Sequence, residues 1–423
     1  MRVLVPKHTL AMGAALATLF AAGALPIPAA GRLTTPTVLT ATPYMGWDTY
    51  FAFGPRYSES TVLSQASSLL ADGLQRLGYR YVWLDVGWWQ GRRDSHRQIV
   101  VDRSQWPHGM AWLAHTLHQA GLLAGLYTDA GSDGCGGRHE GSYGHYRQDA
   151  DTFAAWGFDA VKVDFCGGVR RKLDPQAAYA SFHKALVANS SHRPMLLSIC
   201  NFLEPEQFQG QPPFAQSAFA SYTFGPSTGN SWRTDTDVGS PGHVTFATVL
   251  RNLDADAAHP EAAGPGHWND PDYLGPDQGL TGGQFQAQLT MWAILAAPLM
   301  VSDDLESASP TTLSQLANRE LVAIDQDAAG LQGALLATEA EGQIWVKPLR
   351  DGSKAVALLN RAKRPIRLET SAAAVGLAPS GRYRVRDVWA HTTGTTSGAI
   401  AAEVRGESAE LLRVSVSGED SRA

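Results

Sequence analysis

Cysteine, charge and long apolar runs are all scarce in this chain of 423 residues. Its 3 cysteines allow one internal disulfide at most and leave a thiol over, which excludes a small scaffold stapled by several bridges. Charged residues make up 17%, below the roughly 25% of an average soluble domain, while apolar residues reach 44%. That balance excludes a disordered chain and suits a large, well-buried one. The 34 basic residues fall short of the 40 acidic ones, and a formal charge of −6 offers nucleic acid no electrostatic footing. Past the first thirty residues, no apolar run of the roughly 20 residues that span a membrane is free of charges and turn residues. Two chemical signatures are missing as well. The Gly-x-Ser-x-Gly pattern at Gly225–Gly229 precedes a strand-like run instead of following one, so no strand-to-helix nucleophile turn is present. The first strand-like run meets Met45-Gly46-Trp47-Asp48 rather than a Gly-rich phosphate turn.

Residues 1–30 read as a signal peptide and predict a secreted protein with no membrane attachment after cleavage. Arg2 and Lys7 form a basic start, Leu10 to Ala24 is small and apolar, and Ala22-Gly23-Ala24 and Pro28-Ala29-Ala30 offer cleavage sites. In an exported chain Cys135 and Cys166 are the expected disulfide, since both follow strand-like segments and sit in Gly-rich turns. Cys200 ends an apolar run from Met195 and is expected as a buried free thiol. Asn189-Ser190-Ser191 is a glycosylation sequon for a host that glycosylates.

What is present is a rhythm of short apolar runs separated by longer amphipathic stretches. Runs stand at Tyr44–Trp47, Tyr81–Leu84, Leu123–Tyr127, Ala160–Val163, Met195–Ile199, Ser231–Arg233, His267–Asn269 and Ala297–Val301. Helical stretches such as Glu59–Leu77, Trp112–Ala120 and Ala177–Asn189 lie between them. Several runs are continuously apolar, as strands buried on both faces of a parallel sheet are. Carboxylates fall at their ends: Asp85, Asp129 and Asp164, then Asp237, Asp270, Asp272 and Asp303. Eight parallel strands closed as a (β/α)₈ TIM barrel gather all those ends on one face, the catalytic face of that fold. After Leu331 the texture becomes short strands and Gly/Ser turns, which predicts a C-terminal antiparallel β-sandwich. The expected organisation is thus signal peptide 1–30, α/β barrel 31–328 and sandwich 329–423.

Aspartates and tryptophans on one rim suit carbohydrate. One carboxylate attacks or stabilises the anomeric carbon, another protonates the leaving oxygen, and aromatic faces stack on sugar C–H surfaces. Trp47, Trp88, Trp89, Trp232 and Trp268 all fall at expected strand ends. Lys162 and Asp164 lie two apart on a strand and share a face, so the cation should keep the carboxylate ionised. A carboxyl that must give up a proton, by contrast, should sit in a less solvated place. His115 and His118 share a helix face before the third strand, away from the rim, and are not expected to bind metal. No cofactor is expected either.

Five segments resemble the motifs of glycoside hydrolase family 27, which comprises α-galactosidases and α-N-acetylgalactosaminidases. They are Thr42-Pro43-Tyr44-Met45-Gly46-Trp47, Gly125-Leu126-Tyr127-Thr128-Asp129, Lys162-Val163-Asp164-Phe165-Cys166, Trp232-Arg233-Thr234-Asp235-Thr236-Asp237 and Trp268-Asn269-Asp270-Pro271-Asp272. Order is kept, and the tail segments Ile344–Leu349 and Tyr383–Trp389 resemble the family's C-terminal domain. The resemblance implies a retaining α-glycosidase acting on an oligo- or polysaccharide, with Asp164 as nucleophile and Asp237 as acid/base. Retention predicts carboxyls about 5–5.5 Å apart. It also implies that Trp47 walls the site of the sugar that is cleaved off and that Asp85 binds ring hydroxyls. Lys162 and Arg233 would hold those near C2 and C3, and Tyr127 would sit by the reaction centre.

Two departures bear on the sugar. Where the family usually has two consecutive aspartates before Gly-Trp, this chain reads Asp85-Val86-Gly87-Trp88, and Asn201 stands where α-galactosidases commonly carry a glutamate. Asp48, in the first loop, is another carboxylate that could serve in place of the missing one. The expected activity is therefore α-galactosidase, with α-glucan cleavage of the isomaltodextranase kind or β-L-arabinopyranosidase activity as alternatives within the family. A catalytically inactive carbohydrate-binding protein is the alternative of another class.

Overall fold

A computed structural model describes residues 39–136, 139–201 and 220–417; the expected signal segment 1–30 lies outside the described residues. Eight short strands carry the first part of the chain: β1 (Met45–Asp48), β2 (Tyr81–Leu84), β3 (Leu123–Asp129), β4 (Ala160–Asp164), β5 (Leu196–Ile199), β6 (Ser231–Arg233), β7 (Trp268–Asp270) and β8 (Leu299–Val301). They pair in parallel in the order β7-β6-β5-β4-β3-β2-β1-β8. Leu274, just past β7, closes the ring: its N–H donates to Met300 O and its carbonyl accepts from Ser302 N–H, each at 2.8 Å. This is the TIM barrel expected from the sequence. The strands are buried along almost their whole length, which accounts for their continuous apolarity.

Helices follow most strands and cover the barrel. The amphipathic stretch from Glu59 is two helices, Glu59–Ala71 and Leu74–Leu77, because Gly73 takes a left-handed conformation at φ +75 and ends the first. Pro175–Val187 starts with Asp174 accepting from Ala177 N–H and proline at the first position. Gly282–Leu295 starts with a capping box from Thr281 and Gln284. This last helix has apolar residues on all sides and is buried from Phe285 to Leu295. The barrel lies on one side of it and the C-terminal sheet on the other.

That sheet has six antiparallel strands: β9 (Ala334–Glu339), β10 (Gly342–Pro348), β11 (Lys354–Asn360), β13 (Tyr383–Asp387), β14 (Thr392–Thr396) and β16 (Ser408–Val416). β12 (Ile366–Ser371) and β15 (Ala399–Val404) form a second, two-stranded layer. Alternation sorts the residues. Val356, Leu358, Leu412 and Val414 join Leu368, Ile400 and Val404 in the sandwich core. Ala355, Ala357, Leu359, Ala409 and Leu411 belong to the barrel's core. A buried pair sits at this junction. Lys347 Nζ donates to the backbone carbonyls of Ala293 at 2.8 Å and Asp325 at 3.4 Å; burial raises the Asp325 carboxyl to about 7 and lowers the lysine to about 8.

Candidate active site

The site lies at the C-terminal ends of the barrel strands, in a pocket of about 320 Å³ lined by Tyr50, Pro55, Asp85, Val86, Cys135, Gly136, Lys162, Asp164 and Asp237. That volume suits one small ligand. Asp85, Lys162, Asp164 and Asp237, singled out in the sequence, meet here. Asp164 ends β4 and is 4% exposed, whereas Asp237, in the loop after β6, has a side chain 31% exposed. The pocket therefore runs from Asp237 at its open end to Asp85 and Val86 at its buried end.

Lys162 and Asp164 do share the inner face of β4, but the lysine is divided between two carboxylates. Its Nζ lies 2.6 Å from Asp85 Oδ2 and 3.8 Å from Asp164 Oδ1. Burial outweighs that cation and Asp85 adds to the upward push, so the Asp164 carboxyl stands at about 6. The sequence-based expectation that Lys162 alone settles the charge of Asp164 thus neglects desolvation. Asp85 is held on all sides: Val86 N–H donates to Oδ1 at 2.6 Å, and Tyr273 OH donates to Oδ2 at 3.0 Å beside the lysine. The ring of Tyr273 also lies 5.0 Å from Lys162 Nζ.

Arg233 ends β6, 2% exposed, and grips two aspartates: Nη2 to Asp237 Oδ1 at 2.9 Å and Nη1 to Asp272 Oδ1 at 2.6 Å. Asp272 is braced in turn by Val238 N–H at 2.6 Å, so the loop bearing Asp237 is tied to the loop after β7. Asp235, two residues earlier, faces away to Arg251 at 3.3 Å and does not line the pocket. The expected less solvated position for Asp237 is not found: it is the more exposed of the two aspartates, at the open end.

Cys135 and Cys166 are joined, with Cα atoms 5.2 Å apart. Cys166 opens the short helix Cys166–Arg170 instead of a turn. Glycine lets the two cysteine-bearing loops meet, since a Cβ on Gly131 would lie 2.0 Å from the Gly167 carbonyl carbon. Asp129 fastens both loops by accepting from Gly131 N–H at 2.5 Å and Gly167 N–H at 3.0 Å. The bridge touches the chemistry, for Cys135 Sγ is 3.0 Å from Asp164 Oδ2. Among the described residues, Asp129, Cys135 and Cys166 are the one group of three spaced like metal ligands, and the disulfide occupies both sulfurs. Cys200 is buried and free.

Other expected site residues stand behind the lining. Trp47 is fully buried, its Nε1 donating to Asp303 O at 2.7 Å. Tyr127 is fully buried below the disulfide loop, its hydroxyl accepting from Cys135 N–H at 2.9 Å. Asn201 is buried after β5. Trp88, Trp89, Trp232 and Trp268 are also fully buried, so the aromatic rim read from strand ends is core packing. Asp48 does not replace the missing carboxylate. It is buried beneath the pocket, where Oδ1 accepts from Tyr50 N–H at 2.7 Å. The sequence reasoning missed Tyr50, Pro55 and Tyr273 and left Asp272 undecided. Tyr50 and Tyr273 each stand within three residues of a motif at a strand end, and that proximity was the available signal.

Residues 55–327 match the family model described as alpha galactosidase A, and residues 339–414 match that of the alpha galactosidase C-terminal beta sandwich domain. The chain is 37% identical over 331 residues to alpha-galactosidase A of Cellvibrio japonicus, covering 77% of each. It is 34% identical over 369 residues to alpha-galactosidase of Cyamopsis tetragonoloba, covering 86% of this chain and 84% of that one. The solved structure of alpha-galactosidase I from Mortierella vinacea superposes with a TM-score of 0.81 at 27% identity, covering 90% of this chain and 99% of that one. A matching family model over most of the chain, relatives at this identity, and an acidic pocket on the catalytic face of a barrel agree: the chain belongs to the α-galactosidase family, glycoside hydrolase family 27, and is a glycoside hydrolase.

Proposed function

We propose that the protein removes terminal α-D-galactosyl groups from oligo- or polysaccharides with retention of anomeric configuration. The convergence of Asp164, Asp237, Lys162 and Asp85 on one pocket carries this reading. Asp164 attacks the anomeric carbon while Asp237 gives a proton to the leaving oxygen; the glycosyl–Asp164 ester is then hydrolysed by water that Asp237 deprotonates. The proton enters and leaves at the open end, where a bound leaving group would cover Asp237. Lys162 and Asp85 take ring hydroxyls, and Arg233 orients Asp237 through its 2.9 Å contact. Trp47, Tyr127 and Asn201 support this layer from behind. The barrel is taken as 31–328 and the sandwich as 329–423. Residues 1–30 are read as a signal that sends the enzyme out of the cell; among the described residues no helix is long and apolar enough to cross a membrane.

One observation favours a second sugar. With the leaving group at the open end, the far edge of the pyranose, C4 to C6, reaches the buried end, where Val86 offers no acceptor. A β-L-arabinopyranoside has the galactoside's ring configuration without C6, and it loses no hydrogen bond there. Rates on matched aryl α-galactoside, α-glucoside and β-L-arabinopyranoside separate the readings. Asp164→Asn abolishes turnover of all of them; Asp237→Asn slows poor leaving groups far more than good ones. Full activity of Asp164→Asn would overturn the mechanism.

A further inference from the structure

The pocket has a wall that neither the motifs nor the proposed mechanism uses. Tyr50 begins the short helix Tyr50–Phe53 after β1 and lines the pocket together with Pro55 and Asp237. It is held firmly: its N–H donates to buried Asp48 at 2.7 Å, and its ring lies tilted on that of Phe51 with centroids 5.6 Å apart. Pro55 is held as well, because Gly87 packs so tightly on it that a Cβ there would lie 2.5 Å from the Pro55 carbonyl oxygen. The phenol is half-buried, and among the described residues its hydroxyl makes no hydrogen bond. An unused hydroxyl on a fixed ring, beside the carboxylate at the open end, is a group waiting for a ligand.

We infer that Tyr50 is a leaving-group-selecting residue whose hydroxyl hydrogen-bonds a hydroxyl of the sugar being displaced, favouring sugar-linked over aryl-linked substrates. This rests on the reading of Asp237 as the acid that protonates the leaving oxygen, which makes the pocket wall next to it the wall of the leaving group. Burial and the surrounding carboxylates, Asp237 first among them, push the phenol well above its ordinary value, so it stays a proton donor throughout the working range. An aryl leaving group carries no hydroxyl for it to meet, whereas a sugar does.

The test compares kcat/KM for an α-galactosyl disaccharide with that for a nitrophenyl α-galactoside, in wild type and in Tyr50→Phe. The substitution keeps the ring and its packing on Phe51. One neutral hydrogen bond lost predicts that the disaccharide-to-aryl ratio falls about threefold to tenfold. The inhibition constant of free glucose, standing in for the released sugar, should rise by a similar factor. A ratio within twofold of wild type overturns the inference, as does an unchanged inhibition constant. Asp237→Asn assayed on aryl galactosides of graded leaving-group acidity keeps the two ideas apart. A steeper dependence on acidity in Asp237→Asn, with an unmoved ratio in Tyr50→Phe, defeats the Tyr50 assignment alone. No steepening in Asp237→Asn defeats the acid/base reading and this inference with it.

Discussion

Replacing Val86 with aspartate puts a carboxylate on the one apolar stretch of the pocket's buried end. Val86 is 6% exposed and stands beside Asp85, whose own carboxylate is occupied by Lys162, Tyr273 and the Val86 N–H. A new acceptor that bonds O6 of galactose is worth about 1.5–3 kcal/mol as a charged hydrogen bond, or about 10-fold to 150-fold in relative kcat/KM. The gain applies to the galactoside and not to the β-L-arabinopyranoside, which has no O6. Against it stands the cost of a third carboxylate near Asp85 and Asp164. That cost raises the Asp164 carboxyl above its present value of about 6 and so moves the acid limb of the pH profile upward. The comparison is therefore made above pH 7.5, with both nitrophenyl glycosides and with circular dichroism to verify folding. The galactoside-to-arabinopyranoside ratio should rise at least about tenfold. A folded Val86→Asp variant whose ratio stays within twofold of wild type would show that the apolar wall does not face C6.

Three further outcomes follow from the same geometry. Because Asp164 must be ionised to attack and stands at about 6, kcat/KM should fall as pH drops through that value; Asp85→Asn removes a like charge and leaves Lys162 to Asp164, so the limb should move to lower pH. A limb that stays or rises in the pH–rate profile of Asp85→Asn would contradict the charge assignment. The Cys135–Cys166 bridge spans 31 residues, and removing it with Cys135→Ala/Cys166→Ala should cost about 3–4 kcal/mol in denaturant unfolding and lower kcat/KM through the contact with Asp164. Thiol titration should find one thiol in the unfolded, unreduced protein; three would refute the bridge. Lys347→Met leaves the buried carbonyls of Ala293 and Asp325 without their donor and should destabilise by about 1–3 kcal/mol in denaturant unfolding; a loss under about 0.5 kcal/mol would show that these hydrogen bonds do not hold the barrel–sandwich junction.

The barrel was legible because its signal is redundant. Each strand is buried on both faces, so apolarity runs unbroken through Tyr81–Leu84 and Leu299–Val301, and a carboxylate follows the strand end where the pocket opens. The sandwich was legible from alternation: Val356 and Leu358 face one core, Ala355 and Ala357 the other. Within the pocket, strand-end position marks Asp85 and Asp164 but equally marks Asp129, Asp270 and Asp303, which lie outside the lining; the family resemblance is what singles out Asp85, Lys162, Asp164 and Asp237 together. The tryptophans misled for the converse reason. A strand-end position says nothing about depth, and Trp88, Trp89, Trp232 and Trp268 turn inward, each indole N–H except that of Trp89 donating to an oxygen within the fold. Tyr50 and Pro55 escaped because loop direction, which the helix Tyr50–Phe53 and the Gly87 packing determine, leaves no periodic trace in sequence. The balance of charge at Asp164 was hidden too. Spacing shows that Lys162 is near, but not that Asp85 takes the closer share at 2.6 Å against 3.8 Å.

The central claim is double displacement by Asp164 with Asp237 as its proton partner, and the anomeric configuration of the first product tests it most directly. Proton NMR of nitrophenyl α-galactoside hydrolysis, recorded at high enzyme concentration before mutarotation, should show α-galactose appearing first, with the β-anomer following only at the rate of mutarotation. β-Galactose as the first-formed product would mean that water attacks directly, that Asp164 forms no ester, and that the account of this pocket is wrong.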